Sequence, residues 1–360
     1  MFGIALAASA ALATPVAGAL GYRRIRQARN ARLMRIDTQN GIDERGFVRI
    51  GGLDHWISIR GEDLGNPVML EIHGGPGASN APYGARTRAW EKHFTIVRWD
   101  MRGTSKTLGR TGVDGQGELS FDRLYQDALE VTRHALARLG VDQVILVANS
   151  FGSVFGLRLA RRHPELYSAY VGTDQNINDG VLDDSVRQAL LARLRAAGKS
   201  KDVAVVERMG PDRTAWTAEQ FSAYAKLVVT SDPLTFDTMK TVVVRSLLFS
   251  PLHSLRDVKY FFKGMKLSEQ IVPATAAFDD WADGTTFDLP FFIFQGDQDV
   301  LTAPELAKRF FDDVQAPVKD FALIRGAAHF ASFRQPEQFL DLMLTKVRPV
   351  VTGRRSVAVG

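Results

Sequence analysis

Ala148-Asn149-Ser150-Phe151-Gly152 is the stretch that decides how this chain is read. It follows an apolar run, Val144 to Val147, and opens a helix-like run from Ser153 to Arg162. A serine on a tight turn between strand and helix holds its hydroxyl clear of the sheet edge. Small residues two before and two after it let strand and helix approach closely. The first of these is Ala148, where the pattern usually has glycine. Serine is a weak nucleophile at neutral pH. Ser150 therefore needs a histidine base, and that histidine needs an acid to fix its tautomer.

Working outward, the pattern is short strands first, then strands alternating with helices. Phe47 to Ile50 and Trp56 to Ile59 flank Gly51-Gly52 and read as a hairpin. Strands are expected at Val68 to Ile72 and Phe94 to Trp99. Ser120 can cap a helix from Phe121 to Leu139, with Leu124, Ala128, Val131 and Ala135 at helical spacing and Gly140 beyond its end. The Ser150 helix stops before Pro164, and a strand from Tyr167 to Gly172 follows. This alternation predicts an α/β fold with a mostly parallel, doubly wound sheet covered on both faces. Between about Gln175 and Asp288 the pattern turns helical, as at Arg187 to Ala197, Ala215 to Val229 and Val242 to Leu248. That stretch reads as an inserted helical cap. Strands resume at Phe291 to Phe294 and Val318 to Ile324, and a last helix runs from Pro336 to Lys346. The expected organisation is an N-terminal segment over 1–40, a core over 41–175 and 288–350, the cap over 176–287, and a tail over 351–360.

Partners for Ser150 are sought beyond the ends of later strands, where sites of doubly wound sheets lie. Phe291 to Phe294 runs into Gly296-Asp297-Gln298-Asp299, which carries two acids. Val318 to Ile324 runs into Gly326-Ala327-Ala328-His329, and of seven histidines only His329 has that placement. Asp174, at the end of strand Tyr167 to Gly172, is a competing position for the acid. The order serine, acid, histidine is that of hydrolases of this architecture. An oxyanion hole needs two N–H groups. Phe151, following the nucleophile, offers one. Gly75, in His73-Gly74-Gly75-Pro76-Gly77 after an early strand, offers the other, because glycine lets backbone approach a substrate closely.

These strings resemble the proline iminopeptidase branch of the α/β-hydrolase superfamily. His73-Gly74-Gly75-Pro76-Gly77 matches a signature of that branch, and Trp99-Asp100-Met101-Arg102-Gly103 resembles a second. Asn149-Ser150-Phe151-Gly152 resembles its elbow, and Gly326-Ala327-Ala328-His329 its histidine loop. The resemblance covers residues 46–175 and 288–348. It implies an α/β-hydrolase fold with a cap, a triad of Ser150, Asp299 and His329, and an N-terminal prolyl amide as substrate. It places the acid at Asp299. Ala148 and Ala328 depart from family glycines, and Ser105 and Thr107 stand where the family has glycine and serine. Asp100 and Arg102 are expected to form an internal ion pair.

The cap decides the substrate. Aminopeptidases of this branch hold the substrate's amine with cap carboxylates, and Glu207, Asp232, Asp237 and Glu269 are candidates by residue type. Phe221, Tyr224, Phe249, Phe261, Phe262 and Trp281 would equally suit an apolar ester, so a carboxylesterase is the alternative. A non-catalytic binding protein on the same fold would lack a triad member, and none is missing. An aspartate nucleophile is disfavoured because residue 150 is serine.

The composition agrees with a globular hydrolase, at 45% hydrophobic and 24% charged residues. The formal net charge is +5, much of it in arginines 23, 24, 26, 29, 32 and 35. No basic–aromatic strip or groove-reading motif points to nucleic acid. The chain has no cysteine, which excludes disulfides, thiol catalysis and thiolate metal sites. No cofactor or metal is called for, and the expected partner is a small molecule or short peptide. Residues 2–22 carry no charge and precede three arginines within four positions. About 20 apolar residues suffice for a membrane anchor. An N-terminal anchor with membrane association is the reading preferred, and a cleaved signal segment of an exported protein is the alternative.

Overall fold

A computed structural model describes residues 2–179 and 184–357, with side chains outside 2–16 and 354–357. Helix α1 (Phe2–Leu33) leads into a hairpin of β1 (Ile42–Ile50) and β2 (Leu53–Gly61). Next come β3 (Val68–Ile72), β4 (Thr95–Trp99), α2 (Ser105–Thr111), α3 (Phe121–Leu139), β5 (Val144–Asn149), α4 (Phe151–Arg162) and β6 (Tyr167–Thr173). The stretch before the next strand holds α5 (Ser185–Ala196), α6 (Ser200–Met209), α7 (Ala218–Ser231), α8 (Pro233–Thr238), α9 (Arg245–Phe249) and α10 (Leu255–Ser268). The chain closes with β7 (Phe291–Gly296), α11 (Pro304–Asp313), β8 (Lys319–Ile324), α12 (Ala331–Arg334), α13 (Pro336–Leu342) and α14 (Arg348–Val357).

The eight strands form one sheet in the order β1-β2-β4-β3-β5-β6-β7-β8. β1, β2 and β4 pair antiparallel, and from β4 to β8 all pairings are parallel. β5 is buried along its whole length, as a strand covered by helices on both faces must be. Its run Val144 to Ala148 is correspondingly apolar without alternation. α3 starts where Ser120 accepts a hydrogen bond from the Arg123 N–H and ends at left-handed Gly140.

The expected boundaries shift in three places. The hairpin strands are nine residues each, longer than expected, because β1 opens with the consecutive charges Asp43, Glu44 and Arg45, which break the alternation. The last helical stretch continues through a π-helical turn, Met343–Val347, into α14, so residues 351–357 are helical rather than a tail. The N-terminal segment was expected to stand outside the folded unit, and its C-terminal half does not. Met34 is only 3% exposed, and its carbonyl accepts from buried Arg60. Arg23 donates to the His253 carbonyl at 2.6 Å, Gln27 to that of Ser250 at 2.7 Å and Asn30 to that of Phe249 at 3.0 Å. These carbonyls lie at and just beyond the C-terminus of α9, where a helix leaves acceptors without intrahelical partners. The arginine also suits the negative end of the helix dipole.

Among the described residues no helix is long and apolar enough to cross a membrane, so the expected membrane-spanning anchor finds no support. The side chains of residues 2–16, where most of that apolar run lies, fall outside the described residues.

Candidate active site

β5 delivers Ser150 with φ +52°, a left-handed conformation that a non-glycine residue adopts only under surrounding constraint. Its N–H is tied to the Thr173 carbonyl at 3.1 Å. The turn is tight because glycines permit it. A Cβ on Gly152 would lie 2.3 Å from the Ile72 carbonyl oxygen, and one on Gly74 would lie 2.7 Å from the Cβ of Ser150. Ala148 takes the place of a family glycine because Gly156 of α4 faces it.

His329 reaches Ser150 from the loop after β8. Its Nε2 lies 2.9 Å from Ser150 Oγ, and its Nδ1 lies 2.8 Å from Asp299 Oδ2. With Nδ1–H donating to the carboxylate, Nε2 is free to accept the serine proton. Asp299 is itself pinned. Its Oδ1 accepts from the N–H groups of Leu301 at 2.9 Å and Thr302 at 3.0 Å, and its Oδ2 from Thr302 Oγ1 at 2.7 Å. Burial opposes a charge on Asp299, but His329 and these hydrogen bonds outweigh it and hold the carboxyl below the usual carboxylate range. Burial likewise favours neutral His329, yet the Asp299 carboxylate overrides it and pushes the imidazole up to about 9. Sequence reasoning missed Thr302. The signal was available, since a hydroxyl three residues after an aspartate on a turn commonly returns to it.

The other acids are placed differently. Asp297 Oδ1 accepts from the Ala327 N–H at 3.2 Å and does not reach His329 Nδ1. Asp174 follows β6 with φ +47° and is fully buried. One of its carboxylate oxygens lies with one of Asp299 and a ring nitrogen of His329, all within 4.8 Å of one another. That is the one metal-like grouping among the described residues, and both ring nitrogens of His329 are already engaged, by Asp299 and by Ser150.

His73 is buried and held neutral, its pKa lowered to about 4 by desolvation. Its Nδ1 lies 2.9 Å from the Gly74 carbonyl, to which it donates, and its Nε2 accepts from the Met101 N–H at 3.1 Å. It thus ties the Gly74 loop to the loop after β4 and serves no base. Gly75 has φ +123°, and a Cβ there would lie 2.6 Å from the Ala78 nitrogen. The N–H of Phe151 opens α4 and so has no intrahelical acceptor.

The expected Asp100–Arg102 ion pair does not form. Arg102 pairs with Asp127 of α3 at 2.8 Å, while Asp100 accepts from Ser79 Oγ at 2.5 Å and from the Lys106 N–H at 2.9 Å. Asp127, at 0% exposure, takes Arg102 with both oxygens, whereas both oxygens of Asp100 are engaged by Ser79 and Lys106.

The four cap carboxylates singled out by type are all engaged. Glu207 pairs with Arg195 at 2.7 Å and Asp237 with Arg334 at 2.6 Å. Asp232 accepts from the Thr235 N–H at 2.7 Å, and Glu269 takes both Lys266 at 2.6 Å and Ser222 at 2.8 Å. Several of the aromatic candidates pack on neighbours: Phe249 on Tyr22, Phe221 and Tyr224 on Trp216, and Trp281 on Phe310. Helix α10 lies directly on the Gly74 loop, since a Cβ on Gly77 would be 2.5 Å from the Gly264 carbonyl oxygen.

A family model described as the alpha/beta hydrolase fold matches residues 67–336. The chain belongs to the α/β-hydrolase family, and it is an enzyme of the hydrolase class. It is similar to the probable aminopeptidase YbaC of Bacillus subtilis, at 22% identity over 84% of this chain and 95% of that protein. Its fold is similar to that of a proline iminopeptidase-related protein from Thermus thermophilus, with TM-score 0.56, 19% identity, and 86% of this chain and 99% of that one covered. A thermophilic esterase from Thermogutta terrifontis gives TM-score 0.57 at 16% identity, covering 85% and 99%. The resemblance to the proline iminopeptidase branch drawn from the sequence motifs therefore holds at the level of relatives as well.

Proposed function

We propose that this protein is a serine hydrolase that works through an acyl-enzyme. The observation that carries the reading is the continuous chain Ser150 Oγ, His329 Nε2, His329 Nδ1, Asp299 Oδ2, with links of 2.9 and 2.8 Å. Ser150 Oγ attacks the acyl carbon as its proton passes to His329 Nε2. The N–H groups of Gly75 and Phe151 receive the carbonyl oxygen as it becomes negative. The tetrahedral intermediate collapses, and the leaving group departs with the proton from Nε2. Water then attacks the acyl-serine, its proton taken by the same nitrogen, which returns it to Ser150 Oγ. Asp299 stays ionised and holds the imidazolium.

The substrate bond of the first reading is an N-terminal amide, as the name of the YbaC relative suggests. A carboxylic ester is the second reading, and one observation favours it. Binding a free N-terminal amine calls for an unengaged carboxylate near the acyl site, and the four cap candidates each already hold another partner.

Incubation with an aryl fluorophosphonate, followed by peptide mass spectrometry, tests the reaction type. Labelling at Ser150 that disappears in Ser150→Ala is expected, and wild-type turnover by Ser150→Ala would overturn it. A proline arylamide and a short aryl ester, assayed side by side, separate the substrates. Ester turnover without arylamidase activity discards the first reading.

A further inference from the structure

The mechanism above leaves one buried acid without a task. Asp174 sits where β6 ends, beside the triad and sealed from solvent. Its Oδ1 accepts from the Ala331 N–H at 3.0 Å, and the neighbouring Phe330 N–H also favours the charged carboxyl. Those two residues directly follow His329. Phe330 is also left-handed, at φ +65°, so the base and its loop depend on an outside acceptor to hold an unfavourable turn. The other oxygen, Oδ2, is buried and has no hydrogen-bond partner among the described residues. A carboxylate needed only as a structural acceptor for two N–H groups would be served as well by asparagine, without the cost of burying a charge.

We propose that Asp174 is a positioning residue for His329, clamping the loop that carries the base and setting a second titratable carboxyl beside its imidazole. The inference rests on the serine-hydrolase reading for its catalytic consequence but not for its geometry. The titratable groups that face Asp174 are His329 and Asp299, from the loops after β8 and β7, and the phenol of Tyr83. Burial raises Asp174 to about 7, and His329 works against that rise. Asp174 in turn adds to the upward push that Asp299 exerts on His329. The two carboxyls thus divide the work. Asp299 carries a permanent charge along the Nδ1 hydrogen bond. Asp174 gains its charge near neutral pH and adjusts how tightly the base holds its proton. Asp174 is not the triad acid, because His329 Nδ1 is bonded to Asp299.

The test compares wild type, Asp174→Asn and Asp299→Asn. Asparagine keeps the acceptor oxygen for both N–H groups and tolerates the left-handed backbone. The readout is the pH dependence of the second-order rate of Ser150 labelling by the fluorophosphonate. Asp174→Asn is expected to keep its plateau without an order-of-magnitude loss. Its acid limb should move to lower pH by about one unit, the effect of removing a nearby negative charge. A profile superimposed on wild type overturns the proposal. A collapse of the plateau equal to that of Asp299→Asn also overturns it, by making Asp174 the triad acid. Proton NMR of the His329 ring in the unsubstituted protein gives an independent reading that needs neither labelling nor a variant. Two inflections with pH are expected, and a single one discards the second carboxyl. If Ser150 fails to label while the two inflections are present, the hydrolase reading falls and the Asp174 inference stands.

Discussion

Ala148 and Gly156 face each other across the strand-to-helix turn, and a Cβ added to Gly156 would lie 2.5 Å from that of Ala148. The methyl group that β5 carries in place of the family glycine is accommodated by a glycine one turn into α4. Gly156→Ala is expected to destabilise the protein by about 1–3 kcal/mol through overpacking. Ala148→Gly should restore part of that loss, with a coupling of about 0.5–3 kcal/mol in a double-mutant cycle. The rest stays lost, because Tyr170 also lies within 2.9 Å of the new carbon. Urea unfolding of the four proteins measures this, and simple additivity would refute the pairing.

Two acids on one loop should separate sharply in kinetics. Asp299→Asn is expected to lower kcat by about 10⁴, because the imidazole loses the partner that fixes its tautomer. Asp297→Asn should stay near wild type, since its carboxylate only accepts from the Ala327 N–H. Equal losses in steady-state assays of the two variants would remove the basis for assigning the acid.

As the proposed base, His329 requires a neutral imidazole. Burial favours that form, but Asp299 overrides it, so the protonated form persists above the ordinary histidine value of 6.5. kcat/KM on a neutral substrate is therefore expected to fall as pH drops through a pKa displaced to the alkaline side. A scan from about pH 6 to about pH 10 reports it. A limb at or below the ordinary value would contradict the electrostatics of the site.

Behind the elbow, Arg98 and Glu71 form a buried two-point ion pair at 2.8 and 2.9 Å. Glu71 also accepts from Asn80 at 3.0 Å, and Asn80 donates to Asn149, the residue before Ser150, at 3.0 Å. Arg98→Met leaves a buried carboxylate without its countercharge and should cost about 3–5 kcal/mol. Thermal unfolding at neutral pH measures the loss. Arg98→Met/Glu71→Leu should recover much of it, and a larger loss in that double variant would argue against an uncompensated charge as the cause.

Gln27→Ala/Asn30→Ala removes the amide donors that α1 presents to the carbonyls of Phe249, Ser250 and His253. About 1 kcal/mol per hydrogen bond is expected. Hydrogen exchange over residues 249–253 should rise with it. Unchanged exchange there would mean that the contact contributes nothing.

Most of the candidate site was legible because each member sits at the end of an apolar run: Ser150 after Val144 to Val147, Asp299 after Phe291 to Phe294, His329 after the β8 run. Local spacing recorded the strand ends, and chain order supplied the rest. Partners set by tertiary packing could not be read the same way. Arg102 turned to Asp127, a helix residue 25 positions on, because folding brings that carboxylate to it while Ser79 and Lys106 take the oxygens of Asp100. Asp174 gained its partner Ala331 from a turn 157 positions away that no spacing predicts, whereas the Thr302 contact to Asp299 lay within reach of its three-residue spacing. The N-terminal segment misled most. Its composition reads as apolar followed by basic, whereas Arg23, Gln27 and Asn30 are spaced about one helical turn apart and meet a single row of carbonyls.

That row gives the first helix a mechanical part in the enzyme. The turn sealed by α1 leads into α10, and α10 bears on Gly77 in the loop proposed to stabilise the oxyanion. A few residues further on, the chain is also fastened to the core, where Arg88 donates to the carbonyls of Leu33 and Arg35. The C-terminal part of the helix thus ties the core to the turn between α9 and α10. Moving α10 away from the Gly77 loop would strain these amide–carbonyl bonds, so residues 23–35 restrain a part of the cap that lies outside the reacting atoms.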